Sequence, residues 1–263
     1  MSEDEILVTL AAVAMGPVAW LAQVARWSKL PRGGGAVRAI AVVLAICTAI
    51  LVGVLRTLAA SDVIHAPAYI FMYAVLGLAW IRVAALGFPF AGLSLRDDAV
   101  ERRNGAAITA AAGALIGVTI CYAGGNVGDG PGWWVVVFSA ALATAGLFVC
   151  WLVLAQLTSV HDVVTIDRDP AAGIRLAGFL VACGLLWARA VAGSWESAAQ
   201  TVRDAAIALP PLAVILAVAL AVERGARPRA ERPRAPVVLL GILPAMLYLA
   251  IAADVVVRLG RPE

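Results

Sequence analysis

Apolar residues in this chain recur in runs of about 20, separated by short polar segments. Wound as an α-helix at about 1.5 Å per residue, each run reaches near 30 Å, the hydrocarbon thickness of a bilayer. A membrane β-barrel would alternate apolar and polar positions, and these runs do not. With 63% of residues apolar and 14% charged, the chain reads as an all-α, polytopic transmembrane helical bundle. Eight spans are expected, roughly at 6–25, 38–58, 67–92, 104–123, 133–157, 170–192, 205–222 and 236–257. The opening "MSEDE" is acidic, whereas a signal peptide starts basic, so the first run is expected to be kept as a span.

Arginine placement sets an expected orientation. Segment 26–38 carries Arg26, Lys29, Arg32 and Arg38; segment 223–235 carries Arg224, Arg227, Arg229, Arg232 and Arg234. Arg96, Arg102 and Arg103 fall in 96–104 and Arg168 in 158–170, whereas 59–66 and 124–132 hold no lysine or arginine. By the positive-inside rule the basic segments are cytoplasmic and both termini lie outside. A single lysine among 20 basic residues is a compositional hint of a GC-rich bacterial genome. The net charge of +3 is accounted for by these loops and gives no reason to expect nucleic-acid binding.

This topology groups the spans into four hairpins, two of which lead into matching text. "RRNGAAITAAAGALIG" (102–117) and "DRDPAAGIRLAGFLVA" (167–182) align without gaps, with Asn104 on Asp169 and Ala112-Gly113 on Ala177-Gly178. Two spans fit within the offset of about 65 residues, so the copies share an orientation and form a parallel internal repeat. Asn104 and Asp169 stand where a helix N-cap belongs, accepting from free backbone N–H groups of the first turn. Pro170 follows where its missing donor costs nothing. Gly113 with Gly117, and Gly178 with Ala182, make small-residue ridges that let backbones approach, because lipid offers no hydrophobic drive for helix association.

These residues resemble the YjfL-like bacterial inner-membrane family, a domain family of unassigned function. Its members carry two "N-x-AA" helix starts, each leading into a Gly-containing span, and the likeness covers about 66–195. It implies a four-helix core there, flanked by a helical hairpin at 1–65 and another at 196–263. Asp169 departs from the family's second asparagine. The resemblance implies an inner-membrane location, with a link to envelope stress in some members, and brings no activity.

Charges inside the spans are the residues most in need of explanation: Arg56, Arg82, Arg175, Arg189 and Asp254. Each costs about 2.5–3.5 kcal/mol at a helix centre on insertion scales. Counting about 1.5 Å per residue puts Arg56, Arg189 and Asp254 near the outer interface, and Arg82 and Arg175 just above the inner one. Long arginines there can snorkel to headgroups. Alternatively Arg82 and Arg175 face the bundle, paired with Asp169, Asp167 or Glu101, while Asp254 pairs with Arg56 or Arg189. Pairs lining a water-filled path would favour anions.

Other chemistry is sparse. Cys47, Cys121, Cys150 and Cys183 fall inside spans without metal-site spacing. His65 and His161 lie in loops on opposite sides, which argues against a transmembrane haem. There is no HExxH, G-x-S-x-G or Walker A lysine. "GGNVGDGPG" (124–132) reads as a flexible turn leading to Trp133-Trp134, an interfacial anchor. No catalytic residue, metal or cofactor is expected, and the chain is not read as an enzyme. The first expectation is a structural or interaction component of the membrane, partnered by lipid, by copies of itself or by other membrane proteins. The rival is a channel or transporter for a small solute, an anion if the arginine layers line it.

Overall fold

The computed structural model describes residues 1–30, 34–226 and 236–260; the loop residues Arg32, Arg227, Arg229, Arg232 and Arg234 lie outside them. Eight helices are long and apolar enough to cross a membrane: α1 (Glu3–Ser28), α2 (Gly34–Thr57), α3 (Pro67–Ala85), α4 (Gly105–Gly124), α5 (Trp133–Leu157), α6 (Pro170–Val191), α7 (Ala198–Ala226) and α8 (Val238–Leu259). The chain is a multi-pass membrane protein with an all-helical bundle.

Prolines and glycines shape the helices. α3 stops at Ala85 rather than near 92, because Gly87 and Pro89 open a short 3₁₀ turn at Phe88–Ala91 that ends on left-handed Gly92. Pro17 sits in a π turn at Ala14–Val18 of α1, where the regular ladder cannot continue past a residue without N–H. There α1 bows onto α3, and a methyl on Gly16 would lie 2.7 Å from the Ala79 nitrogen. α7 starts earlier than expected, at Ala198, with the Ser197 hydroxyl capping Gln200 N–H at 3.2 Å. It also runs on to Ala226, past the expected end at 222.

The bundle has two rows. α2, α4, α6 and α8 pack side by side in that order, and α1, α3, α5 and α7 lie against them, so neighbours within a row share a direction. The pair at the centre is α4 and α6, each with 72% of its span window buried, against 22–50% for the others. Gly173 meets the Ala106 backbone, Gly113 meets Ala177, Gly117 meets Leu180 and Gly184, and Gly124 meets Ala188. These contacts run in register from start to end, so the two helices are parallel. Gly178 does something else. It faces Ala245 of α8, while Gly241 of α8 takes Ala171. The ridge on α6 that opposes Gly113 and Gly117 is therefore Gly173, Ala177 and Gly184, and Ala182 is fully buried beside it. Without a hydrophobic drive in lipid, such backbone-to-backbone approach is what holds helices together.

Candidate functional site

Three places in the bundle gather polar groups: the two helix starts at the arginine-bearing end, a buried ion pair, and a cavity at the opposite end, beside Glu5.

The starts of α4 and α6 are built alike. A short helical turn precedes each, Leu95–Glu101 and Val160–Thr165. Arg103 and Arg168, at φ 51 and 55, then swing the chain through the left-handed region. The next residue, Asn104 or Asp169, returns its N–H to the carbonyl six residues back, Asp98 at 3.3 Å and Val163 at 3.1 Å. Both then cap as expected. Asn104 Oδ1 accepts from Ala106 and Ala107 at 3.0 and 3.3 Å, and Asp169 Oδ1 accepts from Ala171 at 3.0 Å. The amide makes one difference. Asn104 Nδ2 donates to the Val164 carbonyl at 2.6 Å, stitching the first start to the turn before the second. Asp169 has no such donor, and its buried Oδ2 has no hydrogen-bond partner among the described residues.

Arg175 is where expectation and structure part. It is 1% exposed, so it does not snorkel, and its partner is none of Asp169, Asp167 and Glu101. Nε and Nη2 donate to the two carboxylate oxygens of Glu223 at 2.6 and 2.8 Å. Nη1 donates to the Leu240 carbonyl. The reason for that third contact is chemical: Leu240 lies four residues before Pro244, which has no N–H to offer it. One guanidinium thus ties α6 to α7 and α8. Glu101 instead meets Arg96 at 2.8 Å, and Asp167 is exposed.

The other span charges are also separate. Arg82 lies over the Trp20 ring, 5.5 Å from its centroid, joining α3 to α1 by a cation–π contact. It makes no ion pair among the described residues, and its Nε is buried without a partner. Arg189 donates to the Gly260 and Leu259 carbonyls at 3.0 and 2.9 Å, closing the end of α8. Asp254 pairs with Arg258 one turn away at 2.8 Å, not with Arg56 or Arg189, and Arg56 is exposed. No common wall collects these charges. Glu223 does line a crevice of about 280 Å³ that opens at Gln156–Ser159.

The cavity at the opposite end holds about 290 Å³. Its floor is the segment 124–132, which is not the flexible turn expected. The Gly193 and Trp195 N–H groups donate to the Val127 and Asp129 carbonyls at 2.9 and 2.7 Å, and Gly128 bridges to Ala59. Gly128 is at φ +100 and so close to Gly193 that any side chain would collide with its backbone. Trp134 packs edge-on against Trp195 at 5.3 Å, and Trp133 Nε1 donates to Asp4 at 3.3 Å. Glu5, Asp62 and Asp129 line the cavity, and among the described residues no lysine or arginine does.

All four cysteines are free and buried, and among the described residues no three His, Cys, Asp or Glu side chains come together to hold a metal ion. Compared with known proteins, the chain matches no family model, no curated protein and no solved structure.

Proposed function

We propose that this protein is a structural or interaction component of a bacterial inner membrane. The observation that carries the reading is the Arg175–Glu223–Leu240 contact, which uses an intramembrane charge to fasten three helices. Arg82 on Trp20 and Arg189 on the end of α8 act in the same way. An anion path would need free guanidinium groups along one hydrated wall. Arg175 is enclosed by its partners and offers none.

The family relation and the internal repeat belong to the same proposal. What supports them is the pair of matching helix starts, with Arg103 and Arg168 both left-handed and both followed by a capping residue. The parallel row α2, α4, α6, α8 suits a chain of four hairpins related by duplication. We place both termini outside and the arginine-bearing ends of the helices in the cytoplasm, where the loops serve as docking surfaces. Copies of the chain, or other membrane proteins, would pack on the lightly buried outer helices.

Reconstituted liposomes test the reading. Purified protein should pass no chloride above protein-free vesicles. Chloride flux that is abolished by Arg175→Leu in protein that still folds would overturn it in favour of the transport reading.

A further inference from the structure

The cavity above α4 and α5 is a polar chamber of one charge sign. Asp62 and Asp129 make no ion pair or side-chain hydrogen bond to any described residue. Glu5 is partly engaged, accepting from the Ser2 amide at 2.7 Å and from the Tyr69 hydroxyl at 3.3 Å, with the Met1 ammonium 4.0 Å away. Walls of low dielectric around charges of one sign concentrate the opposite sign.

Two buried neutral groups belong to the lining. Asn126 is only 6% exposed, and its Oδ1 has no hydrogen-bond partner among the described residues. Its orientation is fixed chemically, because the other arm donates to the Tyr122 carbonyl at 2.9 Å and must therefore be the nitrogen. That oxygen has no open face, so it lies behind the cavity wall and not on it. Ser139, 3% exposed, also lines the cavity and makes no hydrogen bond to a described residue. A buried acceptor without a partner costs about 1–3 kcal/mol unless something donates to it. The rigid floor described above holds Asn126 and Asp129 in place without their side chains.

The shape of the donor set decides between cations. Among the described residues no three carboxylates converge as a metal ion requires. The acceptors are instead spread around a chamber near the small end of ligand-pocket sizes, about 300–1,000 Å³. Tyr69, Tyr73 and Trp195 add aromatic surface to it. Spread acceptors, aromatic walls and net negative charge suit an ammonium group carried on a small organic body. We infer that this cavity binds a small organic ammonium ion, with the Ser139 hydroxyl as a hydrogen-bond acceptor and Asp62 and Asp129 as counter-charges. The same ammonium chemistry has two sources, a free amine and the headgroup of an ethanolamine lipid.

Calorimetry on the full chain in nanodiscs of phosphatidylglycerol, titrated with ethanolammonium chloride, tests this. Saturable binding is expected, unmatched by sodium acetate. Asp62→Asn with Asp129→Asn, both at exposed positions, should weaken it about tenfold or more without lowering the melting temperature, as expected for lost charge-assisted contacts. Ser139→Ala should weaken it as well. Nanodiscs containing phosphatidylethanolamine identify the source: a weaker apparent affinity there marks the lipid headgroup as occupant, and an unchanged one marks a free amine. No saturable heat from ethanolammonium, equal binding of acetate, binding of calcium chloride alone, or unchanged affinity in the double variant would each overturn the inference.

Discussion

Arg175 and Glu223 are 48 residues apart in the chain and meet through two parallel hydrogen bonds of 2.6 and 2.8 Å, both side chains almost fully enclosed. A bidentate guanidinium–carboxylate pair is the strongest form of such contact, and its enclosure makes each partner dependent on the other.

Removing one partner should therefore cost more than removing both. Glu223→Ala leaves a buried guanidinium uncompensated, for an expected loss of about 3–5 kcal/mol. Arg175→Met combined with Glu223→Leu should be milder than either single change, leaving chiefly the Leu240 carbonyl unpartnered, at about 1–3 kcal/mol. Thermal unfolding in detergent can be followed with a thiol-reactive dye, since all four cysteines are buried. A double variant less stable than both singles would contradict the pairing.

At the helix starts, asparagine and aspartate are not interchangeable. Asn104→Asp loses the donor to the Val164 carbonyl and sets a carboxylate against it, costing about 2–3 kcal/mol. Asp169→Asn keeps the capping oxygen and should stay within about 1 kcal/mol of the natural protein. Equal losses in the same unfolding assay would show that the stitch between the two starts contributes nothing.

Glycines should divide by environment. Gly113→Ala drives a methyl into Ala177 at the α4–α6 contact and should abolish folded protein on size exclusion. Gly53→Ala, with open space around it within α2, should be neutral or gain up to about 1 kcal/mol. Well-folded Gly113→Ala protein would mean that α4 and α6 are not in direct backbone contact.

Orientation is open to chemical labelling. Because the natural cysteines are buried, a membrane-impermeant maleimide should report only on an introduced one. Gly130→Cys should label in intact cells and Asp167→Cys only after lysis; the reverse pattern would place the termini inside.

Much of the architecture was legible because bilayer thickness imposes a length on every apolar run. The caps at Asn104 and Asp169 were legible too, since helix starts need side-chain acceptors whatever lies around them. Glu223 was not. It stands one residue past the expected end of the seventh span, where a charge reads as loop, and only the longer helix brings it beneath Arg175. The choice of neighbour escaped likewise: Gly178 matches Gly113 in the text yet faces α8, because spacing shows that a face is small and not what fills it. The segment 124–132 looked slack for its glycines, whereas Gly128 is there because Gly193 passes against it.

The Arg175 contact also has a history within each molecule. Glu223 and Leu240 follow Arg175 by 48 and 65 residues, so during synthesis the charge reaches the bilayer before either partner has been made. Placing it there alone costs up to the helix-centre value of about 2.5–3.5 kcal/mol, carried by α6 until α7 and α8 arrive. A chain truncated before α7 keeps the whole α4–α6 pair and still holds an arginine with nothing to meet it. Arrival of the α7–α8 hairpin is thus written into the middle of the protein, as the step that gives an already buried charge its partners.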